Sequence, residues 1–210
     1  MTMPEDAPAA RPRRATRVTL LCRGATAANR QARFSAEGSL LPKEPARAAA
    51  LAESLRPFDR VFCAPEACAA ETAAAFSAAP TPCPTLRDVD YGAWSGQTVD
   101  EIAGRFPEAL RHWMADPAAA PHGGESFEAA AGRATGWLDE VHGTGGRILA
   151  VTHAMLLKLV FAHVVGAPLT AVWRIDVEPL GFLDLSSDGR RWALRGFGTA
   201  SPPAGPDGGA

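Results

Sequence analysis

The chain has 210 residues, 47% of them hydrophobic and 21% charged, an ordinary globular composition that suits one full core and excludes a disordered chain or a coiled coil. Twenty-one Lys and Arg stand against 23 Asp and Glu, a net charge of −2, so the overall field gives no reason to expect nucleic acid or an acidic membrane as partner. No apolar run approaches the ~20 residues of a membrane span, and the start MTMPEDAPAARPRRATR lacks the apolar stretch of a secretory signal; a cytoplasmic protein is expected, with Cys22, Cys63, Cys68 and Cys83 as thiols.

Residues 1–14, rich in Pro, Ala and Arg, and residues 199–210, TASPPAGPDGGA, cannot bury enough apolar surface to offset ordering and are expected as mobile tails around one domain over 15–198. VTLLC (18–22) is a short apolar run with β-branched residues ahead of Arg23-Gly24, the pattern of a buried strand ending in a turn. A helix over 44–55 follows, with Pro45 in its first turn and Ala48, Leu51, Ala52 and Leu55 inward. RVFCA (60–64) and RILAVT (147–152) repeat the strand pattern, and each precedes a helix, over 66–77 and 154–165, the latter closed by Gly166 with Pro168 beyond. Between them a helix over 126–141 starts at a Ser126 cap and places Phe127, Ala130, Ala134, Trp137, Leu138 and Val141 on one face. AVWRIDV (171–177) and GFLDLS (181–186) read as strands that complete the sheet edge. Strands alternating with helices imply a three-layer α/β/α sandwich with a largely parallel central sheet.

Ligands of open parallel sheets gather at the carboxyl ends of the strands. The informative residues are therefore Cys22-Arg23-Gly24-Ala25-Thr26, Ala64-Pro65 and Thr152-His153-Ala154. His153 lies where a strand passes into a helix, beside N-terminal amides that favour an anion; a half-buried, hydrogen-bonded structural histidine is the alternative.

The order of these segments resembles the histidine phosphatase superfamily, also called phosphoglycerate-mutase-like, over about residues 17–186. Cys22-Arg23-Gly24-Ala25-Thr26-Ala27-Ala28-Asn29 is similar to the family's Arg-His-Gly-x-Thr-x-x-Asn, and Ala64-Pro65-Glu66-Ala67-Cys68-Ala69-Ala70-Glu71-Thr72-Ala73 to its Ser-Pro-x-x-Arg-Ala-x-x-Thr-Ala. LRDVDYGAWSGQTVDEI (86–102) resembles the acid-bearing loop, GGESFEAAAGR (123–133) the Gly-Glu-Ser helix start, and VTHAMLLK (151–158) the segment of the second catalytic histidine.

The resemblance implies a phosphoryl-transfer fold, but with the chemistry altered. The family attacks phosphorus with the first-motif histidine, clamps the phosphoryl group with two arginines and a second histidine, and protonates the leaving group with a carboxylic acid. Ungapped, the match puts Arg23 at the nucleophile and Cys22 and Cys68 at the two arginines, while His153 and Asp88 keep their types. A one-residue deletion would instead leave Arg23 as the family arginine; either register removes the nucleophile. A guanidinium carries no usable lone pair at neutral pH, so phosphatase or mutase activity is not expected.

Three functions follow as alternatives. One is a degenerate member whose pocket binds a small anionic metabolite or a protein partner, with Arg23, Thr26, Asn29 and His153 around the anion; against it stands Arg23 pairing with Asp88 or another acid and plugging the site. The second is an enzyme of another reaction type, with His153 and Asp88 as an acid–base pair and Arg23 as anion anchor. In the third, Cys22, Cys68 and His153 supply ligands of the kind zinc or copper takes; otherwise no cofactor is expected, and the cysteines pack as small hydrophobes. His122 stands near the pocket mouth in this reading, Glu125 has a structural role at its helix start, and Trp94 packs or walls the pocket.

Overall fold

The computed structural model describes residues 15–34 and 38–199. The two expected tails lie outside the described residues, except that Thr199 ends a strand. The strands are β1 (Thr16–Cys22), β2 (Arg60–Cys63), β3 (Thr81–Pro82), β4 (Gly146–Thr152), β5 (Gly181–Ser187) and β6 (Trp192–Thr199). They form one sheet in the order β3-β2-β4-β1-β5-β6. The first four in that order run parallel, and β5 and β6 add antiparallel on one side. The sheet is mixed and mostly parallel, as expected. Strand β4 is central, and its run Ile148, Leu149, Ala150 and Val151 is fully buried on both faces, which is why it lacks a polar alternation.

The helices are α1 (Ala27–Arg30), α2 (Glu44–Ser54), α3 (Ala67–Ala73), α4 (Val99–Arg105), α5 (Pro107–Ala115), α6 (Phe127–Val141) and α7 (Ala154–Val165). The Ser126 hydroxyl accepts from Ala129 N at 3.1 Å to start α6, and the expected apolar face is buried from Phe127 to Val141. Helices α6 and α7 cover one face of the sheet: the Phe62 ring of β2 meets Trp137 of α6 at 5.8 Å, and Phe161 of α7 meets Phe197 of β6 at 5.1 Å. Val61 and Cys63 point the other way by the two-residue period of a strand, and there α3 packs against β2 and β4.

Residues 171–177, expected as a strand, instead belong mostly to a 3₁₀ helix over Leu169–Arg174. Pro168 caps it, only Val172 is buried, and the Trp173 indole donates to Met114 O at 2.8 Å. The sheet edge is taken by β6, which returns from β5 through Asp188-Gly189, with Gly189 at φ +90°. The helix expected over 66–77 closes earlier, at Ala73.

Candidate functional site

The chain leaves β1 through Arg23, whose backbone N–H donates to Thr152 O of β4 at 2.8 Å. That bond places the ends of the two central strands side by side, and with them Arg23 and His153. Gly24 N donates to Thr72 Oγ1 at 3.0 Å, and the same hydroxyl donates to Cys68 O at 2.7 Å, tying the turn to α3. Ala25 N donates to Glu44 Oε2 at 3.0 Å, so the buried carboxylate at the start of α2 is a fastening of the turn.

The side chain of Arg23 is buried. Its Nη1 donates to Gly24 O at 3.0 Å and to Asn29 Oδ1, while its Nε is buried without a hydrogen-bond partner. The same Asn29 oxygen accepts from Thr26 N and Thr26 Oγ1, both at 3.1 Å. Thr26 and Asn29 therefore form a bracket that aims the guanidinium, and Thr26 is itself buried.

His153, the residue before α7, is also buried. Its Nδ1 lies 3.2 Å from Asp88 Oδ2 and its Nε2 lies 3.0 Å from Glu66 Oε2. Burial alone would lower its pKa, but the two carboxylates outweigh burial and hold it up at about 9. The ring is thus an imidazolium at neutral pH. Burial acts to raise the pKa of Glu66, yet the hydrogen bond and charge of His153 bring it below the usual value. Glu66 Oε1 also accepts from Asp88 N at 3.1 Å, so one carboxylate fixes both the histidine and the acid loop. Glu66 escaped the sequence reading because it occupies a variable place in the second motif.

The loop carrying Asp88 is held from behind. Arg133 of α6 donates to Thr85 O at 2.6 Å, Arg87 O at 3.1 Å and Asp88 O at 3.3 Å, and its Nη2 pairs with Glu125 at 2.7 Å. Glu125 has the expected structural role, but through Arg133 and Arg87. His122 is buried against Trp94 at 5.1 Å, and burial lowers its pKa. It belongs to an aromatic cluster with Tyr91, Trp94 and Trp113 and does not line the cleft; Trp94 is packing.

These elements surround a cleft of about 1110 Å³, lined by Arg23, Thr26, Asn29, Glu66, Cys68, Asp88 and His153 among others. Of its cations, Arg33 faces Glu101 at 3.8 Å, Arg87 faces Glu125 at 3.0 Å, and His153 sits between two carboxylates. Among the described residues, Arg23 and Lys158 of α7 have no carboxylate within 4.0 Å. Plugging of the site by an Arg23–Asp88 pair is therefore not what the structure holds: Asp88 has turned to His153.

The expected metal set does not assemble. Cys22 packs in the hydrophobic core, with its thiol pushed up to about 12 mainly by burial, while Cys68 lines the cleft. Burial raises the Cys68 thiol as well. Each nitrogen of His153 faces a carboxylate, and among the described residues no three His, Cys, Asp or Glu side chains form a cage for a cation. The two cysteines do not share one cavity wall, since Cys68 lines the cleft and Cys22 packs in the core, although Cys68 and Arg23 are near enough to act on the Cys22 thiol electrostatically.

The model of the histidine phosphatase superfamily (branch 1) matches residues 18–199. Phosphoserine phosphatase 1 of Hydrogenobacter thermophilus is 26% identical over 107 residues, which is 50% of this chain and 51% of that protein. The chain thus spans about half the length of this curated relative. Among solved structures, a mutant phosphoserine phosphatase of Entamoeba histolytica in complex with phosphoserine superposes with a TM-score of 0.80 at 18% identity, over 90% of this chain and 100% of that one. Mycobacterial glucosyl-3-phosphoglycerate phosphatase Rv2419c, complexed with VO3, gives 0.77 at 24% identity, over 87% and 98%. Among the described residues, no helix is long and apolar enough to cross a membrane.

Proposed function

The chain belongs to the histidine phosphatase superfamily, and from that premise we propose that it is a degenerate member that binds a small phosphorylated or carboxylated metabolite without hydrolysing it. The observation that carries this reading is Arg23: a buried guanidinium in the cleft, aimed by Asn29, with an unpartnered Nε and no carboxylate within 4.0 Å among the described residues. A buried charge left unpaired is costly, and an anion in the cleft supplies what the described residues do not. Lys158, half-buried in the same cleft, adds a second cation for an acid with two anionic groups.

In the ungapped register Arg23 stands where the resemblance implies the nucleophile, and in the register with a one-residue deletion it is the family arginine; in either it cannot form a phospho-enzyme. In the alternative in which His153 and Asp88 form an acid–base pair with Arg23 as anion anchor, the protonated ring is unsuited to the role of base, and each of its nitrogens already faces a carboxylate. Relatives of the same fold supply the ligand class to try first, since their names and complexes include phosphoserine and a sugar phosphoglycerate.

Calorimetric titration with O-phosphoserine tests the reading. Binding should be measurable in the parent chain and lost in Arg23→Met, while p-nitrophenyl phosphate should show no turnover. Turnover at ordinary phosphatase rates that persists in Arg23→Met would overturn it.

A further inference from the structure

The sheet carries a second basic site, remote from the carboxyl ends of the strands. We propose that the pocket formed by Arg17, Arg147 and Arg195 binds a compact phosphate-bearing anion, of the size of phosphate to diphosphate. A cavity of about 270 Å³ is lined by Arg17 and Thr19 of β1, Phe58, Arg147 of β4, Asp184 and Leu185 of β5, and Arg195 of β6.

The strand register explains why the cations meet. Arg17 and Arg147 are direct partners in the β1–β4 ladder, and Thr19 is the partner of Asp184 in the β1–β5 ladder. Residues two apart on a strand share a face, so these four belong to one side of the sheet. Arg195 joins them through an irregularity: Asp184 pairs with Gly196 and Leu185 pairs with Leu194, which leaves Arg195 as an extra residue in β6. A bulge of this kind re-aims one side chain, and here the cavity wall receives a guanidinium.

Charge and anchoring then favour an anion. Asp184 is the single carboxylate of the lining, and it accepts from Thr19 Oγ1 at 2.5 Å. Among the described residues, none of the three guanidinium groups has a carboxylate within 4.0 Å; the nearby Asp59 carboxylate is taken by the backbone of Arg147, whose N donates to Asp59 Oδ2 at 2.7 Å. Arg147 is held over the Phe58 ring, 5.2 Å from its centroid, and its Nη2 donates to Arg56 O at 3.4 Å. Its Nε is buried and has no hydrogen-bond partner. One guanidinium is thus fixed in place while Arg17 extends from the neighbouring strand β1 and Arg195 reaches in from β6, beyond β5, an arrangement suited to several phosphoryl oxygens at once. The site lies at the strand ends opposite the cleft, since Arg17 and Arg147 are each the second residue of their parallel strands whereas Arg23 and His153 follow the last.

The test uses the Arg23→Met chain, so that the cleft contributes no signal, and titrates inorganic phosphate, inorganic pyrophosphate and ADP by calorimetry. Saturable binding of pyrophosphate is expected, weakened at least tenfold by Arg195→Gln and likewise by Arg17→Gln, each loss corresponding to one charge-assisted contact. ADP binding with the same sensitivity would assign a nucleotide diphosphate as source, and pyrophosphate alone a free anion. The Arg195→Gln chain with Arg23 intact should bind O-phosphoserine as the parent does, which keeps failure of this site separate from failure of the cleft. No saturable binding of any of the three anions, or binding indifferent to both glutamine variants when circular dichroism shows them folded, would overturn the proposal.

Discussion

Nε2 of His153 lies 3.0 Å from Glu66 Oε2, and this second carboxylate turns a histidine–aspartate contact into a closed ionic sandwich. The folded protein holds the His153 proton up to a pKa of about 9, against 6.5 for the free side chain. Protonation therefore contributes stability that is complete below about pH 6.5 and is lost as pH rises through about 9, on the order of 3 kcal/mol in full. Glu66 acts at the other end of the scale: its lowered pKa contributes stability above its unfolded value that is lost as pH falls through its folded one. An NMR titration should show the His153 ring carbons inflecting near pH 9, with urea midpoints declining across the same interval. A ring that titrates near 6.5 would mean that the sandwich does not form.

Glu66→Gln removes one of the two charges but keeps a group able to hydrogen-bond. The His153 pKa should fall by a unit or more and stability at neutral pH by ~1–3 kcal/mol. Asp88→Asn should act on the same proton, and because both substitutions act through one ring their effects should not add. Ring titrations of the two single variants and the double variant measure that coupling directly.

Much of this arrangement was legible in the sequence. The strands at 18–22, 60–64 and 147–152 and the helices at 44–55, 126–141 and 154–165 each combine an apolar pattern with a turn or cap signal, and the structure places elements at all six. His153 and Arg23 were found because they follow strands β4 and β1. What was not legible depends on long-range partners. Glu66 meets His153 from 87 residues away, and nothing local marks it as an ion-pair partner. Residues 171–177 have strand composition, yet their neighbourhood is fixed by Met114 and the α7 turn. The Asp188-Gly189 turn was a readable hairpin signal, and it should have suggested β6 in place of that strand. Cys22 was assigned to the cleft by its place in the motif, whereas at a strand end the direction of the side chain decides, and it packs in the core.

Arg23→Met should separate binding from stability. The thioether fills similar volume without a charge, and Asn29 Oδ1 keeps Thr26 N and Thr26 Oγ1 as donors. The free protein should be unchanged or more stable by ~1–2 kcal/mol, while affinity for O-phosphoserine is lost. Adding O-phosphoserine should raise the Tm of the parent chain and not of the variant. A variant that is strongly destabilised without ligand would show that the guanidinium is compensated within the chain.

Gly124 is where the acid loop docks. A Cβ there would lie 2.1 Å from Asp90 O and 2.7 Å from Gly92 N, backbone atoms that cannot turn aside, and Glu125 N donates to Asp90 O at 2.7 Å. Gly124→Ala should cost ~2 kcal/mol or more and displace Asp88, lowering the His153 pKa together with O-phosphoserine affinity. Gly132→Ala, inside α6 with nothing within 4 Å of the new methyl, should be neutral or stabilise by up to ~1 kcal/mol. Thermal melts and ring titrations of the two chains make the comparison.

In its ungapped register the resemblance puts a nucleophilic histidine at residue 23 and clamping arginines at 22 and 68, but the structure gives these positions unequal tolerance. Cys22 is 1% exposed in the core, so Cys22→Arg inserts a long cation into apolar packing and should cost several kcal/mol. Residues 23 and 68 both line the cleft, and Arg23→His with Cys68→Arg should fold. Asp88 is engaged with His153 at 3.2 Å and is poorly placed to protonate a leaving group. The double variant should therefore release a burst of p-nitrophenolate, a leaving group that departs as the anion, and retain phosphate on His at 23, without hydrolysing alkyl phosphates. The parent and both single variants should give no burst, because nucleophile and clamp act as a unit. Rapid-quench measurement with phosphohistidine detection reads both events. A folded double variant that binds phosphate and gives no burst would show that a histidine at 23 with an arginine at 68 does not suffice for phosphoryl transfer in this cleft.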